Sequence, residues 1–282
     1  MNILFTGAKS FLAKELADYF GQSKSKYNLI LTDRKTLDPT DLTMVHECFD
    51  DINVDIVIHT AIKGGKRNHN EHIDDFYSNI SMFNNLSRIS NKYKLMFNFG
   101  SGAEFDRRND IFRAKEKLVN DSMPIDYYGL SKNIITRKIN DLNSNIFNLR
   151  LFGCFGPREE QQRLLKNCYN QLMNNQEPVI SQDKEMDYFY SKDVGRIIEH
   201  IINHGNEFTP RDINMCYEQK YNLSDYVDIL KLLTNKKNDV IIKKSGLSKS
   251  YSGCGIRVQN LGVELKGLEG GIEECLTNWN KY

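Results

Sequence analysis

Two hydrophobic rhythms run through the first half of the chain. Short apolar or β-branched runs at Asn2–Phe5, Asn28–Thr32, Asp55–His59, Lys94–Phe99 and Ile146–Phe152 have the length of buried strands. Between them, longer stretches carry apolar residues at helical spacing. These are Phe11–Phe20, with Phe11, Leu12, Leu16 and Phe20 on one face, then about Asp74–Lys92, then about Tyr128–Leu142. Strands alternating with helices predict an α/β fold, a doubly wound parallel sheet covered on both faces. After Gly156-Pro157 the pattern loosens. Helices are predicted at Gln162–Asn174, about Lys192–Asn203, Leu223–Leu233 and near Ile272–Trp279, with extended pieces at Pro178–Ser181 and Val240–Lys243. The chain is expected to form a larger domain over residues 1–157 and a smaller mixed α/β lobe over 158–282, interleaved with the last sheet elements.

Composition narrows the class of function. The 282 residues include 38 Lys+Arg against 37 Asp+Glu, a formal net charge of +1. No basic excess marks a nucleic-acid surface, and no polybasic arm marks a membrane one. No apolar run approaches the ~18 residues of a membrane span. The first run, Ile3–Phe5, stops at Thr6-Gly7, short of a signal-peptide core. Cys48, Cys154, Cys168, Cys216, Cys254 and Cys275 are scattered without a Cys-x-x-Cys pair, and read as reduced packing thiols of a cytoplasmic protein.

The segment from Ile3 to Ala13 reads as a strand, a tight turn and a helix start. Gly7 supplies the turn. Ser10 and Ala13 stand where a dinucleotide-binding fingerprint has its second and third glycines, and both are small. Such a turn aims helix N-terminal amides, here around Ser10, Phe11 and Leu12, at a pyrophosphate. Alone it fits an ordinary β-to-α connection about as well. The next strand's end adds Asp33, placed for ribose hydroxyls, and Arg34, placed for a 2′-phosphate, so NAD(H) and NADP(H) both stay open. Asp38 is within reach of the adenine amine, and the small pair Thr60-Ala61 lets backbone pass beneath the cofactor. A Rossmann-like dinucleotide-binding domain is expected.

Tyr128 and Lys132, at i and i+4, share a helix face. A phenol with a pKa near 10 is a poor acid–base at pH 7, and a neighbouring lysine cation and an oxidised nicotinamide are both expected to lower it. Hydride transfer to a carbonyl needs such a proton partner. Ser101, just after a strand, is placed to orient the substrate oxygen. A Tyr-x-x-x-Lys alone is common on amphipathic helices; in order behind a glycine turn and a post-strand Ser it points to catalysis. His69-Asn70-Glu71-His72 lacks a third ligand at a useful distance, so it reads as a polar loop before a helix and no metal is expected.

With these residues in order, the sequence resembles the extended short-chain dehydrogenase/reductases, the NAD-dependent epimerases and dehydratases that act on nucleotide sugars. The resemblance covers almost the whole chain. It includes Asn79-Ile80-Ser81, the run from Arg150 to Pro157, and Asp187–Val194, similar to the family's "Arg-Asp-Phe-x-x-Val-x-Asp-Val" segment. The short Asp33–Asp38 link and Lys63-Gly64-Gly65 look most like GDP-fucose synthase-like 4-keto sugar reductases. The resemblance implies a nucleotide-diphosphate sugar substrate, a homodimer, and Lys132 holding the nicotinamide ribose while tuning Tyr128. Lys63, Gly102, Ala103, Arg158 and Arg257 are candidates for the substrate side.

The departures carry information too. The family's 4,6-dehydratases follow the catalytic Ser/Thr with Asp-Glu, whereas Gly102-Ala103 follow here, against dehydration. The fucose synthases keep a Cys two residues after the Ser for epimerisation; Ala103 stands in its place. Glu104, next along, is expected to point to the opposite face of an extended segment. Gly153 replaces a family Asn, and Met186 replaces the Arg that meets the substrate diphosphate; Arg158, Lys184 and Arg257 are the candidate substitutes. A 4-keto sugar reductase is the first expectation, a 4-epimerase the second, and a non-catalytic dinucleotide-binding protein the third.

Overall fold

The computed structural model describes residues 1–65, 70–142, 145–204 and 211–279. In chain order the strands are β1 (Asn2–Thr6), β2 (Asn28–Leu31), β3 (Ile56–His59), β4 (Leu95–Ser101), β5 (Ile111–Ala114), β6 (Ile146–Leu151), β7 (Cys154–Phe155), β8 (Val179–Asp183), β9 (Phe189–Tyr190), β10 (Asp212–Met215), β11 (Ile241–Leu247) and β12 (Tyr251–Gly253). The α-helices are α1 (Phe11–Gly21), α2 (Leu42–Asp51), α3 (Ile73–Arg88), α4 (Tyr127–Asp141), α5 (Leu164–Met173), α6 (Ser191–His204), α7 (Leu223–Thr234), α8 (Ile256–Asn260) and α9 (Gly267–Trp279).

Six strands form one parallel sheet in the order β2-β1-β3-β4-β6-β10. Alternation along each strand feeds two cores. Ile3, Phe5, Ile56, Ile58, Phe97 and Phe99 meet Leu16 and Phe20 of α1 and Val194, Ile197 and Ile201 of α6. Leu4, Val57 and Met96 meet Val45 and Phe49 of α2, Phe83 and Leu86 of α3, and Ile135 and Ile139 of α4. This is the Rossmann-like doubly wound sheet that the pattern predicts. The chain after residue 157 returns α6 and β10 to it. Helices α5, α7 and α9 pack around Leu165, Leu172, Tyr190, Tyr226, Leu230 and Trp279.

Several elements go unannounced in the hydrophobic pattern, α2 and β10 among them. Helix α2 buries only Val45 and Phe49 and is started by Asp41, whose carboxylate accepts from the Thr43 and Met44 amides. Strand β10 alternates Ile213 and Met215 with two polar residues, Asp212 and Asn214, that are themselves buried. Both polar side chains serve Arg150 of β6, which is wholly buried. Its Nη2 reaches Asp212 Oδ2 at 2.8 Å, its Nη1 reaches Asn214 Oδ1 at 2.8 Å, and its Nε reaches Glu104 Oε2 at 2.7 Å. The guanidinium also lies 4.8 Å from the Phe105 ring centroid. This ionic cluster lies beneath the carboxyl end of β4, where Ser101 emerges.

Candidate active site

Strand order reverses between β1 and β3, and ligands of open α/β sheets bind beyond the carboxyl ends of strands at such a point. Gly7, at the end of β1, has a φ of 68°, and a Cβ there would stand 2.7 Å from the Ala61 Cα. Only glycine lets the turn run this close to β3. Ser10 caps α1, accepting from the Ala13 amide at 3.2 Å. Its hydroxyl donates to Thr60 Oγ1 at 3.2 Å, and Thr60 donates to the Thr6 carbonyl at 2.7 Å. The serine at the second glycine position therefore ties the two strand ends together.

A cavity of about 250 Å³ opens beside this turn, lined by Gly7, Ser10, Arg34, Asp38, Thr60, Ala61 and Lys63, with Leu37, Pro39 and Met82 as apolar wall. A backbone turn at a helix start, an apolar wall and charged groups at one end fit a dinucleotide. Asp33 sits against Lys9 at 2.5 Å, and that contact holds its carboxyl below the usual range. Arg34 donates to Asp38 at 2.8 Å. Arg34→Ala is expected to weaken NADP(H) binding by roughly 1.5–3 kcal/mol, the range for a hydrogen bond to a charged group, and to leave NAD(H) nearly unchanged. Fluorescence titration of both cofactors checks this; equal losses would assign Arg34 to packing. Lys63, expected on the substrate side, lines this same cavity. Its amide and carbonyl are held by the Asn79 carboxamide at 2.9 and 3.0 Å, and Asn79 also reaches Ser131 Oγ on α4 at 3.1 Å. Leu12 packs against the first core, and Phe11 lines a separate cavity of about 320 Å³ with Lys9, Lys14 and Arg158.

Tyr128 and Lys132 lie in the first turns of α4, capped by Asp126, which accepts from the Gly129 amide at 2.7 Å. The Tyr128 amide donates to Glu71 at 3.0 Å. The turn after Lys63 lies on the phenol ring: a Cβ on Gly65 would come within 2.8 Å of Tyr128 Cε2. The lysine's part in lowering the Tyr128 pKa is not found among the protein's own groups. Burial pushes it up, against the Ser101 hydroxyl and the Arg107 cation, which favour the phenolate. Lys132 is not the opposing cation because its Nζ donates to the Phe99 carbonyl at 2.6 Å, and burial lowers its own pKa to about 8.

Ser101 ends β4. Its amide donates to Glu104 Oε1 at 2.7 Å and its hydroxyl accepts from the Ala103 amide at 3.2 Å. Glu104 does not lie on an extended segment: Gly102–Phe105 is a 3₁₀ turn that folds its carboxylate back under Ser101, onto Arg150 and Thr136. Arg158 and Arg257 are drawn elsewhere. Arg158 Nε donates to Asp18 at 2.7 Å on the α1 side. Arg257 donates to the Asp212 carbonyl at 2.6 Å and faces Glu116 at 3.4 Å. A side chain at position 153 would run into the Asp187 carbonyl at 2.6 Å, which accounts for Gly153. Lys184 Nζ lies 5.6 Å from the Tyr251 ring centroid. His69 lies outside the described residues, and His72 begins α3 in a reciprocal cap with Asp75.

Sequence reasoning passes over Tyr251, whose phenol oxygen is 3.5 Å from Ser101 Oγ. It comes from β12, 150 positions along the chain, and no local motif marks it.

The profile of the NAD dependent epimerase/dehydratase family matches residues 3–216. No curated protein sequence matches. Among solved structures, a GDP-mannoheptose C4 reductase from Campylobacter jejuni with NADP bound superposes with a TM-score of 0.81 at 18% identity, over 100% of this chain and 98% of the other. A GDP-L-fucose synthetase from Naegleria fowleri gives 0.78 at 17% identity, over 99% and 92%. WbmG from Bordetella bronchiseptica, in complex with NAD and UDP, gives 0.80 at 17% identity, over 99% and 94%.

Proposed function

This chain belongs to the NAD dependent epimerase/dehydratase family, and from that premise we propose that it is an NAD(P)-dependent reductase of a 4-keto sugar carried on a nucleoside diphosphate. The observation that carries this is the convergence of Ser101, Tyr128 and Lys132 beside a cavity fit for a dinucleotide at the carboxyl ends of the sheet. Structural likeness to a GDP-mannoheptose C4 reductase supports it. When bound, the nicotinamide supplies the hydride. Tyr128, held protonated, gives its proton to the carbon 4 oxygen, and Ser101 donates a hydrogen bond to that same oxygen. Lys132 holds the nicotinamide ribose, and the Arg107 cation favours the phenolate left behind.

The candidate bases that the sequence offers for the carbons next to the keto group, among the described residues, are not poised for them. Ala103 has no titratable side chain, Glu104 is committed to Arg150, and burial raises the thiol of Cys154 far above its ordinary range. Turnover of a 4-keto nucleotide sugar in deuterium oxide, followed by NMR, is expected to leave carbons 3 and 5 protonated beyond the uncatalysed background. Enzyme-dependent deuterium at either carbon would mean a second activity as an epimerase.

A homodimer and a cytoplasmic location belong to the same proposal. The outer face of α3 and α4 leaves Ile73, Tyr77, Tyr127 and Ile134 exposed, a patch suited to a second copy. Among the described residues, no helix is long and apolar enough to cross a membrane.

A further inference from the structure

We infer that Tyr251 is a positioning residue for the proposed reduction: its phenol donates to Ser101 Oγ and so turns the one Ser101 proton toward the substrate's carbonyl oxygen. A serine hydroxyl has one proton and two lone pairs. One lone pair of Ser101 takes the Ala103 amide at 3.2 Å; Tyr251 Oη lies 3.5 Å away in a contact that either oxygen can donate, and with Tyr251 as donor it takes the other lone pair. With both occupied, the O–H is left to the remaining side, where Tyr128 lies. The Tyr251 contact is long, as catalytic hydrogen bonds often are before substrate arrives and tightens them.

The placement of Tyr251 is built from several directions. Its amide donates to the Glu185 carbonyl at 2.8 Å and its carbonyl accepts from the Asp187 amide at 3.1 Å, so the backbone is clamped on both sides. The ring meets Phe152 edge-on, with centroids 5.4 Å apart, and Phe152 stacks in turn on Phe105. A Cβ on Gly102 would come 2.8 Å from the Tyr251 Cζ and 2.4 Å from the Phe152 Cδ1. The position after Ser101 is therefore kept bare, and the ring uses that space. Burial also holds the phenol protonated, as a donor must be.

This inference rests on the reductase proposal for its consequence, though not for the contact itself. Tyr251→Phe removes the hydroxyl and keeps the ring. It is expected to lower kcat by about 5- to 10-fold, the scale of one neutral hydrogen bond, with KM and cofactor Kd nearly unchanged. In a Ser101→Ala background the same change is expected to cost nothing further. Equal losses in both backgrounds, or no loss in either, would overturn the inference. A second readout needs no turnover. In protein labelled with ¹³C at the tyrosine Cζ, the resonance that disappears in Tyr251→Phe is expected to move in Ser101→Ala. An unmoved resonance would overturn the contact. A moved resonance in an enzyme that reduces no 4-keto nucleotide sugar would uphold the contact and overturn the reductase proposal.

Discussion

Tyr128→Phe is expected to lower turnover by at least ~100-fold, the usual scale for a positioned proton donor. Reduction of a carbonyl leaves an alkoxide unless a proton arrives with the hydride, and Tyr128 is the acid on α4 that the sheet end and the Gly64-Gly65 turn enclose. Burial holds the phenol protonated, the form a reductase needs at the start of each cycle. Cofactor affinity is expected to change little, because the cavity that fits the dinucleotide is built from β1, β3 and the turn after β2. Steady-state kcat together with cofactor titration separates these effects. Near-wild-type turnover would remove Tyr128 from the mechanism.

Arg150→Met is expected to cost about 3–5 kcal/mol of stability, the range for breaking a buried ion pair by removing one partner. The change strands two carboxylates, Glu104 and Asp212, that share this guanidinium with almost no access to water. Glu104, which burial already pushes up and Arg150 holds down, would then favour its neutral form, with a pKa raised above that of the unfolded chain. The penalty is therefore full near neutral pH and shrinks as pH falls toward the ordinary carboxylate range of about 4. Urea unfolding at pH 7 and near pH 4.5 measures both. A deficit that is small, or that grows on acidification, would contradict the account of this cluster.

Much of the fold was legible because burial and periodicity coincide in it. Ile3, Phe5, Ile56 and Ile58 are apolar and buried, and Leu16 and Phe20 fall on the face of α1 that covers them. Elements whose buried residues are polar were not legible. Strand β10 buries Asp212 and Asn214, polar residues that interrupt its apolar run and that Arg150 accounts for. Glu104 was placed wrongly for a related reason: assuming extended backbone after β4 ignores that its carboxylate and the Ser101 amide close a 3₁₀ turn. The cavity beside the glycine turn was legible because Gly7, Ser10, Thr60 and Ala61 line it close to where the sequence sets them. Arg158 and Arg257 stand out in the sequence by charge alone, and their partners Asp18, Glu116 and the Asp212 carbonyl come from distant segments. Tyr251 lay beyond any local pattern, since only the packing of β12 brings it to Ser101.

The most direct test of the central claim is the fate of a labelled hydride. The enzyme is incubated in ordinary water with a 4-keto nucleotide-diphosphate sugar and NADPH or NADH deuterated at the nicotinamide carbon 4, one stereoisomer at a time. The account predicts oxidation of the reduced cofactor in step with sugar consumption and, for one of the two stereoisomers, a product carrying deuterium at carbon 4 of the sugar and at no other carbon. Binding of the cofactor with no transfer of label to any 4-keto nucleotide sugar would contradict it.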